Sequence, residues 1–295
     1  MIVVTAPTGL IGRQVLARLL DADAKVRLIV RDPSKLTAEV RERVEIVQGS
    51  HSDAEIVNRA FEGVETVFWL VAADPRAESV EAAFVDFTRP AAEAIKTHGI
   101  KRVVCISGLG RNAPFADKAG HASASVAMDD LIAATGVALR TLTMPSFMDN
   151  IAQQAGSIKE HGMFFSPIDG DLELPSCATR DIAAVAARWL LDDTWTGQED
   201  VAVLGPENIS FNRMAEIMSD ALGKSVRFQQ TSFDAFKEQL QQYGFSEPMA
   251  QGLTDMMYAK NHGLDLGVER TDANTTPTTF RQWCDDVLVP TLRAS

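Results

Sequence analysis

A strand, a glycine turn and a helix at the start of the chain constrain its fold more than any other feature. Ile2-Val3-Val4-Thr5 reads as a buried β-strand, and Thr5-Ala6-Pro7-Thr8-Gly9-Leu10-Ile11-Gly12 follows it. Val15, Leu16, Leu19 and Leu20 then recur at the spacing of one helical face. A turn of this kind brings backbone N–H groups and the positive end of a helix to one place, which suits phosphate. In such dinucleotide-binding turns one glycine lets the backbone approach a pyrophosphate and a later one lets the helix pack on the strand. Gly9 and Gly12 fill those places, while Ala6 stands where the first glycine of the usual pattern would be. Thr8, Gly9, Leu10, Ile11 and Gly12 are therefore the expected phosphate-binding residues.

The alternation continues along the first half. Val26 to Val30, Val44 to Val47, Val64 to Val71, Arg102 to Ser107 and Val137 to Leu142 are further strand candidates, separated by helical patterns. Val67-Phe68-Trp69-Leu70-Val71 is apolar throughout, as strands covered on both faces are. Asp32 offers a helix cap before Pro33, and Ser52-Asp53-Ala54-Glu55 has the form of a capping box begun by Ser52. This predicts an α/β protein with a doubly wound parallel sheet over residues 1–150. After that Gly156, Gly162, Pro167, Gly170 and Pro175 break the pattern. Helices are expected from Asp181 to Leu191, Phe211 to Leu222, Phe233 to Tyr243 and Pro248 to Lys260, with a strand from Val201 to Leu204. Residues 151–295 thus read as a smaller C-terminal α/β lobe, interleaved with the first part.

Arg31 ends the second strand. An acid there would bond a ribose 2′-hydroxyl, whereas an arginine accommodates a 2′-phosphate. Lys35 and Arg13 add positive charge, and Asp32 is accounted for as the cap. The expected cofactor is NADP(H) over NAD(H). Elsewhere the 28 basic and 40 acidic residues give a net charge of −12, which argues against a general binder of nucleic acid or anionic membranes. Cys105, Cys177 and Cys284 lack metal-ligand spacing and suit a reducing cytoplasm, with Cys105 read as a core thiol. The longest apolar run, Val67 to Ala73, is too short to span a bilayer, and Met1 leads straight into the first strand without a leader pattern. A cytoplasmic protein without a metal site is expected.

Several local patterns join these. They are Val30-Arg31-Asp32-Pro33-Ser34-Lys35, Gly63-Val64-Glu65-Thr66-Val67-Phe68, Ala134-Thr135-Gly136-Val137 and Phe147-Met148-Asp149-Asn150. Further on stand Thr179-Arg180-Asp181-Ile182-Ala183, Leu204-Gly205-Pro206-Glu207, Leu222-Gly223-Lys224 and Pro277-Thr278-Thr279-Phe280. With the phosphate turn they make the chain resemble the NmrA-like branch of the atypical short-chain dehydrogenases/reductases over almost its whole length. The resemblance implies a Rossmann-like domain with a small C-terminal lobe forming a cleft over the nicotinamide. It also implies either NADPH-dependent reduction of quinones or triphenylmethane dyes, or dinucleotide binding by a regulator without catalysis. By the same resemblance Ser50 and His51 lie near the adenine, Val71 and Ala72 near its ribose, and Ser107 near the nicotinamide. Ser50 stands where an acid is often found.

The wider superfamily reduces carbonyls with a Tyr-x-x-x-Lys pair, the lysine helping the phenol act as the acid. This chain has two tyrosines, and neither makes the pair, since Glu247 stands four residues after Tyr243 and His262 four after Tyr258. On the helix where the pair would sit, counting back from Gly136 leaves His121 and Ser125. Hydride transfer without that acid suits an acceptor that spreads the incoming charge: a quinone, an enone or a cationic dye. His121 is an acid–base candidate by its side-chain chemistry, with Lys118 in the same loop. Phe147, Met148 and Asn150 after the sixth strand are expected to wall the acceptor pocket, with Phe165 and Tyr258 opposite. Met163, Phe164, Met256 and Met257 are further apolar candidates. The expected partner is a small conjugated acceptor, and a homodimer is compatible with the sequence. The alternatives are a sensor that binds NADP(H) and acts through a protein partner, and an isomerase or cyclase. The sequence shows no helix-turn-helix pattern, so direct contact with nucleic acid is not expected.

Overall fold

Val3 and Val4 are fully buried, because the strand they form has neighbours on both sides and helices over both faces. In the computed structural model, which describes residues 1–294, the strands are β1 (Ile2–Val4), β2 (Val26–Val30), β3 (Glu45–Gln48), β4 (Thr66–Trp69), β5 (Arg102–Gly108) and β6 (Ala138–Met144). The first five are each followed by a helix: α1 (Leu10–Asp21), α2 (Ala38–Arg43), α3 (Ala54–Phe61), α4 (Phe87–His98) and α5 (His121–Ala133). With the strand Gln198–Ala202 they form a seven-stranded sheet, in the order 198–202, β6, β5, β4, β1, β2, β3. β1 pairs in parallel with β2 and with β4, Ile2 lying opposite both Val26 and Thr66. β2–β3 and β4–β5 are parallel as well. The chain therefore leaves β1 in one direction and returns on its other side, the switch point at which doubly wound sheets bind ligands. The expected α/β, Rossmann-like architecture is the one observed.

Three local expectations change. The strand expected from Val64 to Val71 spans only Thr66–Trp69, half that length, because Val64 and Glu65 precede the ladder and Leu70 and Val71 leave it. α3 is capped by Asp53 rather than Ser52: its Oδ1 accepts from the N–H groups of Glu55 (2.8 Å) and Ile56 (3.3 Å). The Ser52 hydroxyl pairs instead with that of Ser50 at 2.8 Å. The strand read from Val201 to Leu204 runs from Gln198 to Ala202. Its polar start is exposed at a sheet edge, where no apolar signal is required, while Val203 and Leu204 are buried beyond its end.

Two compact units are present, each built from three stretches of chain. The first comprises Met1–Gly108, Ala124–Thr143 and Ile182–Val201, and holds the seven-stranded sheet. Its core joins Val3, Ile29 and Trp69 on the strands to Phe61, Met128 and Ile132 on the helices. The second comprises Leu109–Ser123, Met144–Asp181 and the chain from Ala202 onward. There the strand Leu174–Cys177 pairs with Ser146–Phe147 and Asn208–Ile209, and Met163–Ser166 pairs with Arg227–Gln230. Phe164, Phe280 and Trp283 fill its core. The expected helices form with serine caps, Ser210 before Phe211–Leu222, Ser232 before Phe233–Gln242 and Ser246 before Glu247–Asn261. No helix among the described residues is long and apolar enough to cross a membrane.

Candidate cofactor-binding site

The turn after β1 is closed by its own backbone. Ala6 takes φ +48°, the left-handed region, and its carbonyl accepts a hydrogen bond from Gly9 N–H at 3.0 Å. α1 starts at Gly9 without a side-chain cap, so the N–H groups of its first turn remain for an anion. A Cβ on Gly12 would stand 2.1 Å from the Ala6 oxygen, which is why only glycine fits there. A Cβ on Gly9 would meet the same oxygen at 3.3 Å. Thr8 and Leu10 are exposed at the turn, and Ile11 is buried beneath it. Thr5 holds the strand end in place. Its hydroxyl accepts from Leu70 N–H at 2.8 Å and faces the carbonyls of Phe68 (3.1 Å) and Leu70 (3.2 Å). Thr5 stands outside the residues expected to bind phosphate, although a threonine ending an aliphatic strand is the signal for such a tie.

Arg31 and Lys35 are both exposed beyond the end of β2. Asp32 caps the turn Pro33–Lys35, with Oδ1 accepting from the Ser34 hydroxyl (2.6 Å) and Ser34 N–H (3.0 Å). These bonds hold its carboxyl below the usual value, the hydroxyl bond contributing most. Asp32 is therefore occupied as the cap, as its place before Pro33 indicates.

Ser50 is half-buried and bonded to Ser52. The His51 ring lies edge-on to Trp69 (5.2 Å) and Phe87 (4.7 Å), and its Nε2 contacts the Leu70 carbonyl at 3.1 Å. His51 is thus a tie between the end of β3 and the end of β4. Burial lowers its pKa to about 4 against the Leu70 hydrogen bond, with Arg31 adding to the fall. The unfolded chain, where the value is 6.5, takes up this proton first. Stability from His51 is then complete above that value and is lost as pH falls toward 4. Between about pH 7 and about pH 4.5 the wild type should lose roughly 2.5 kcal/mol more than His51→Phe in urea unfolding. Equal losses would contradict the burial of a neutral ring. Val71 packs half-buried on the core, and Ala72 is exposed.

At the end of β5 a polar cluster is enclosed in the first unit. The Ser107 hydroxyl hydrogen-bonds to Asp129 Oδ2 and lies 2.8 Å from the Ser125 hydroxyl. The Cys105 thiol lies 3.4 Å from Asp129 Oδ1 and 3.6 Å from the Thr141 hydroxyl. Burial, and then the Asp129 charge, push that thiol well above its usual pKa, so it stays protonated. The sequence places Ser107 near the end of β5 and gives no role to Asp129.

The remaining candidates belong to the second unit. His121 starts α5, half-buried, and its Nε2 contacts the Met249 carbonyl at 3.1 Å. Burial lowers its pKa, opposed by that bond. That carbonyl engages the Nε2–H of His121 and ties the start of α5 to Met249. Lys118 is exposed at the end of the turn Ala116–Lys118. Met148 is 1% exposed within the core, which corrects its place as a pocket wall; it joins Ile151 and Phe164 because it starts the turn Met148–Gln154 facing inward. Phe147 is half-buried and Asn150 exposed. Phe165 lines a shallow groove with Thr231, Glu238 and Gln242, its backbone held on both sides by the Gln154 amide. Tyr258 is 45% exposed, stacked on His262 at 4.1 Å with Phe115 and Phe233 edge-on. Phe164 is fully buried and Met163, Met256 and Met257 are half-buried. All three cysteines are buried free thiols, and no cluster that could hold a metal occurs among the described residues.

Comparison with known proteins extends this picture. The chain is 31% identical over 292 residues to the (4-alkanoyl-5-oxo-2,5-dihydrofuran-3-yl)methyl phosphate reductase of Streptomyces griseus, covering 96% of each. It is 28% identical to the NAD(P)H azoreductase of Xenophilus azovorans, covering 87% of this chain and 86% of that one. The NADPH-dependent quinone oxidoreductase of Escherichia coli, solved with NADPH, shares the fold with a TM-score of 0.78 at 23% identity, over 96% of this chain and 98% of that one. The profile of the NmrA-like family matches residues 1–283, and the chain belongs to that family.

Proposed function

We propose that the protein is an NADP(H)-dependent oxidoreductase that transfers hydride to a small conjugated acceptor, quinone- or enone-like, without a Tyr/Lys pair. The observation that carries this reading is the corner formed by the phosphate turn and the end of β2. A Cβ-free Gly12, an uncapped helix start and an exposed Arg31 fit a phosphorylated dinucleotide, and the carboxylate suited to a free 2′-hydroxyl is engaged by Ser34. Leu10 and Ile11 would hold the pyrophosphate through backbone N–H groups, Gly9 would let the backbone approach it, and Arg31 and Lys35 would hold the 2′-phosphate. When bound, the nicotinamide supplies the hydride. Thr5 fixes the β1 and β4 ends between which the dinucleotide would lie.

The acceptor class rests on the missing pair and on the named relatives. A 4-alkanoyl-5-oxo-2,5-dihydrofuran is an alkene conjugated to two carbonyls, and azo compounds and quinones likewise spread added charge. The partner is then this acceptor rather than nucleic acid or a membrane, and the buried free thiols suit a reducing cytoplasm. Loss of reduced-nicotinamide absorbance with a panel of quinones, enones, imines and cationic dyes tests the reading. Turnover of conjugated members but not of a saturated ketone is expected. Tight NADPH binding with no turnover of any member would favour a redox sensor instead.

A further inference from the structure

Phe115 breaks two rules at once for a bulky apolar residue. Its backbone stands at φ +64° and ψ 12°, a left-handed conformation that such side chains rarely adopt, and it is 40% exposed. The chain around it is not slack. A Cβ on Gly110 would stand 2.5 Å from the Leu264 side chain, and one on Gly120 would stand 1.9 Å from the Gly252 carbonyl oxygen. His121 Nε2 contacts the Met249 carbonyl at 3.1 Å. Between these ties the Ser123 hydroxyl donates to the Ala116 carbonyl at 2.7 Å and accepts from Ala119 N–H at 2.8 Å. A backbone outlier that its surroundings determine so fully is the kind found at ligand clamps.

Three further rings of the second unit meet Phe115. Tyr258, itself 45% exposed, lies edge-on to it at 5.9 Å and 90°, and His262 lies at 5.5 Å. His262 covers one face of Tyr258 at 4.1 Å, and Phe233 meets the same ring at 5.5 Å. His262 is fixed in turn, since its Nδ1 contacts the Tyr258 carbonyl at 2.8 Å. We propose that Phe115 and Tyr258 form an aromatic platform that selects flat, electron-poor acceptors by stacking, with His262 and Phe233 holding the Tyr258 ring. This rests on the reading of a conjugated acceptor given above. Ring faces carry negative charge, and an acceptor drained by carbonyl or azo groups presents the opposite sign to them. A flat ligand stacked on one of the two perpendicular rings stands at right angles to the other, so stacked and edge-to-face contacts are both open to it. Size separates this occupant from a second copy of the chain. At roughly 200 Å² for each ring side chain, the exposed parts of Phe115 and Tyr258 amount to about 170 Å². That suits one face of a fused-ring quinone and is about a fifth of the roughly 800 Å² per partner in a stable protein interface.

Isothermal titration of 1,4-naphthoquinone and of cyclohex-2-enone into the protein without cofactor reads the platform apart from turnover. The three thiols are buried, so the quinone does not alkylate them. The quinone should bind at least about tenfold more tightly than the enone. Tyr258→Leu and Phe115→Asn should each weaken the quinone about tenfold and the enone less than about twofold. Asparagine tolerates the left-handed region, so Phe115→Asn should unfold at the wild-type temperature or above it. A lowered unfolding temperature with unchanged quinone affinity would assign the ring to the fold and overturn the platform. Equal losses for quinone and enone would overturn it as well. A wild-type dimer in sedimentation that Tyr258→Leu converts to a monomer would give the rings to a second copy instead. Turnover of quinones with an affinity that neither variant moves would refute the platform and leave the reductase reading standing. Quinone binding as expected, with no acceptor oxidising NADPH, would refute the reductase reading and leave the platform.

Discussion

Gly12→Ala should abolish cofactor binding, weakening NADPH by at least about 100-fold, or about 2.7 kcal/mol. The added methyl would sit 2.1 Å from the Ala6 carbonyl oxygen and 2.9 Å from its carbon. Both obstacles are backbone, so no side chain can swing aside, and α1 must move off β1. That displaces the N–H groups which the phosphate requires. Ala6 already occupies a left-handed conformation that costs an alanine roughly 1 kcal/mol, so the turn has little tolerance left. The overpacking should also cost about 1–3 kcal/mol of stability. Gly9→Ala is the internal comparison. Its methyl would meet the same oxygen at 3.3 Å with φ in the ordinary region, and a loss of about tenfold or less is expected. Isothermal titration of NADPH into the two variants reads the difference, and NADPH affinity retained within about tenfold in folded Gly12→Ala would contradict the turn as the phosphate site.

Arg31→Glu should separate the two nicotinamide cofactors. Replacing a guanidinium with a carboxylate beside a 2′-phosphate removes a charge-assisted bond and adds repulsion, about 2–4 kcal/mol together. NADPH affinity should fall about 30- to 1,000-fold. NADH has a hydroxyl at that position, which a glutamate can accept from, so its affinity should hold or rise slightly. Asp32 makes the test clean. Its Oδ1 is bonded twice to Ser34 and remains so whichever residue stands at position 31. Arg31→Glu also removes a positive charge that helps keep His51 neutral, so the His51 titration should move up in that variant. Parallel losses for NADPH and NADH would show that Arg31 serves the fold and not the phosphate.

The sheet was legible because its signals are local. β-branched runs, the glycine spacing at 9 and 12, and Asp32-Pro33 each act within a few residues, and the structure places strands and turn where they indicate. The short strands of the second unit were not. Ser146–Phe147 and Asn208–Ile209 are two residues each, too few to display a period, and exist because tertiary pairing completes them. Asp129 escaped for another reason. Beside Asp130 it looks like half of a solvated acidic pair, yet Ala122, Ser125, Asp129 and Ile132 recur at spacings of three and four on one face of α5. Ala122 and Ile132 are buried, and that stripe placed the carboxyl inside. Met148 shows the converse. Its position after the sixth strand suggested a pocket, but side-chain direction at a strand end is set by the next turn, which no periodicity describes. His121 was assigned by chemical type, and its tie to Met249 spans 128 positions of sequence.

The fate of the hydride tests the reductase reading most directly. NADPH carrying deuterium at the transferable position of the nicotinamide, mixed with the protein and an alkanoyl-butenolide or simple enone, should yield reduced product with one deuterium at the carbon β to the carbonyl. The cofactor should be oxidised in equal amount, and a saturated ketone should remain untouched. Tight binding of NADPH with the label still on the nicotinamide and the alkene intact would contradict a reductase.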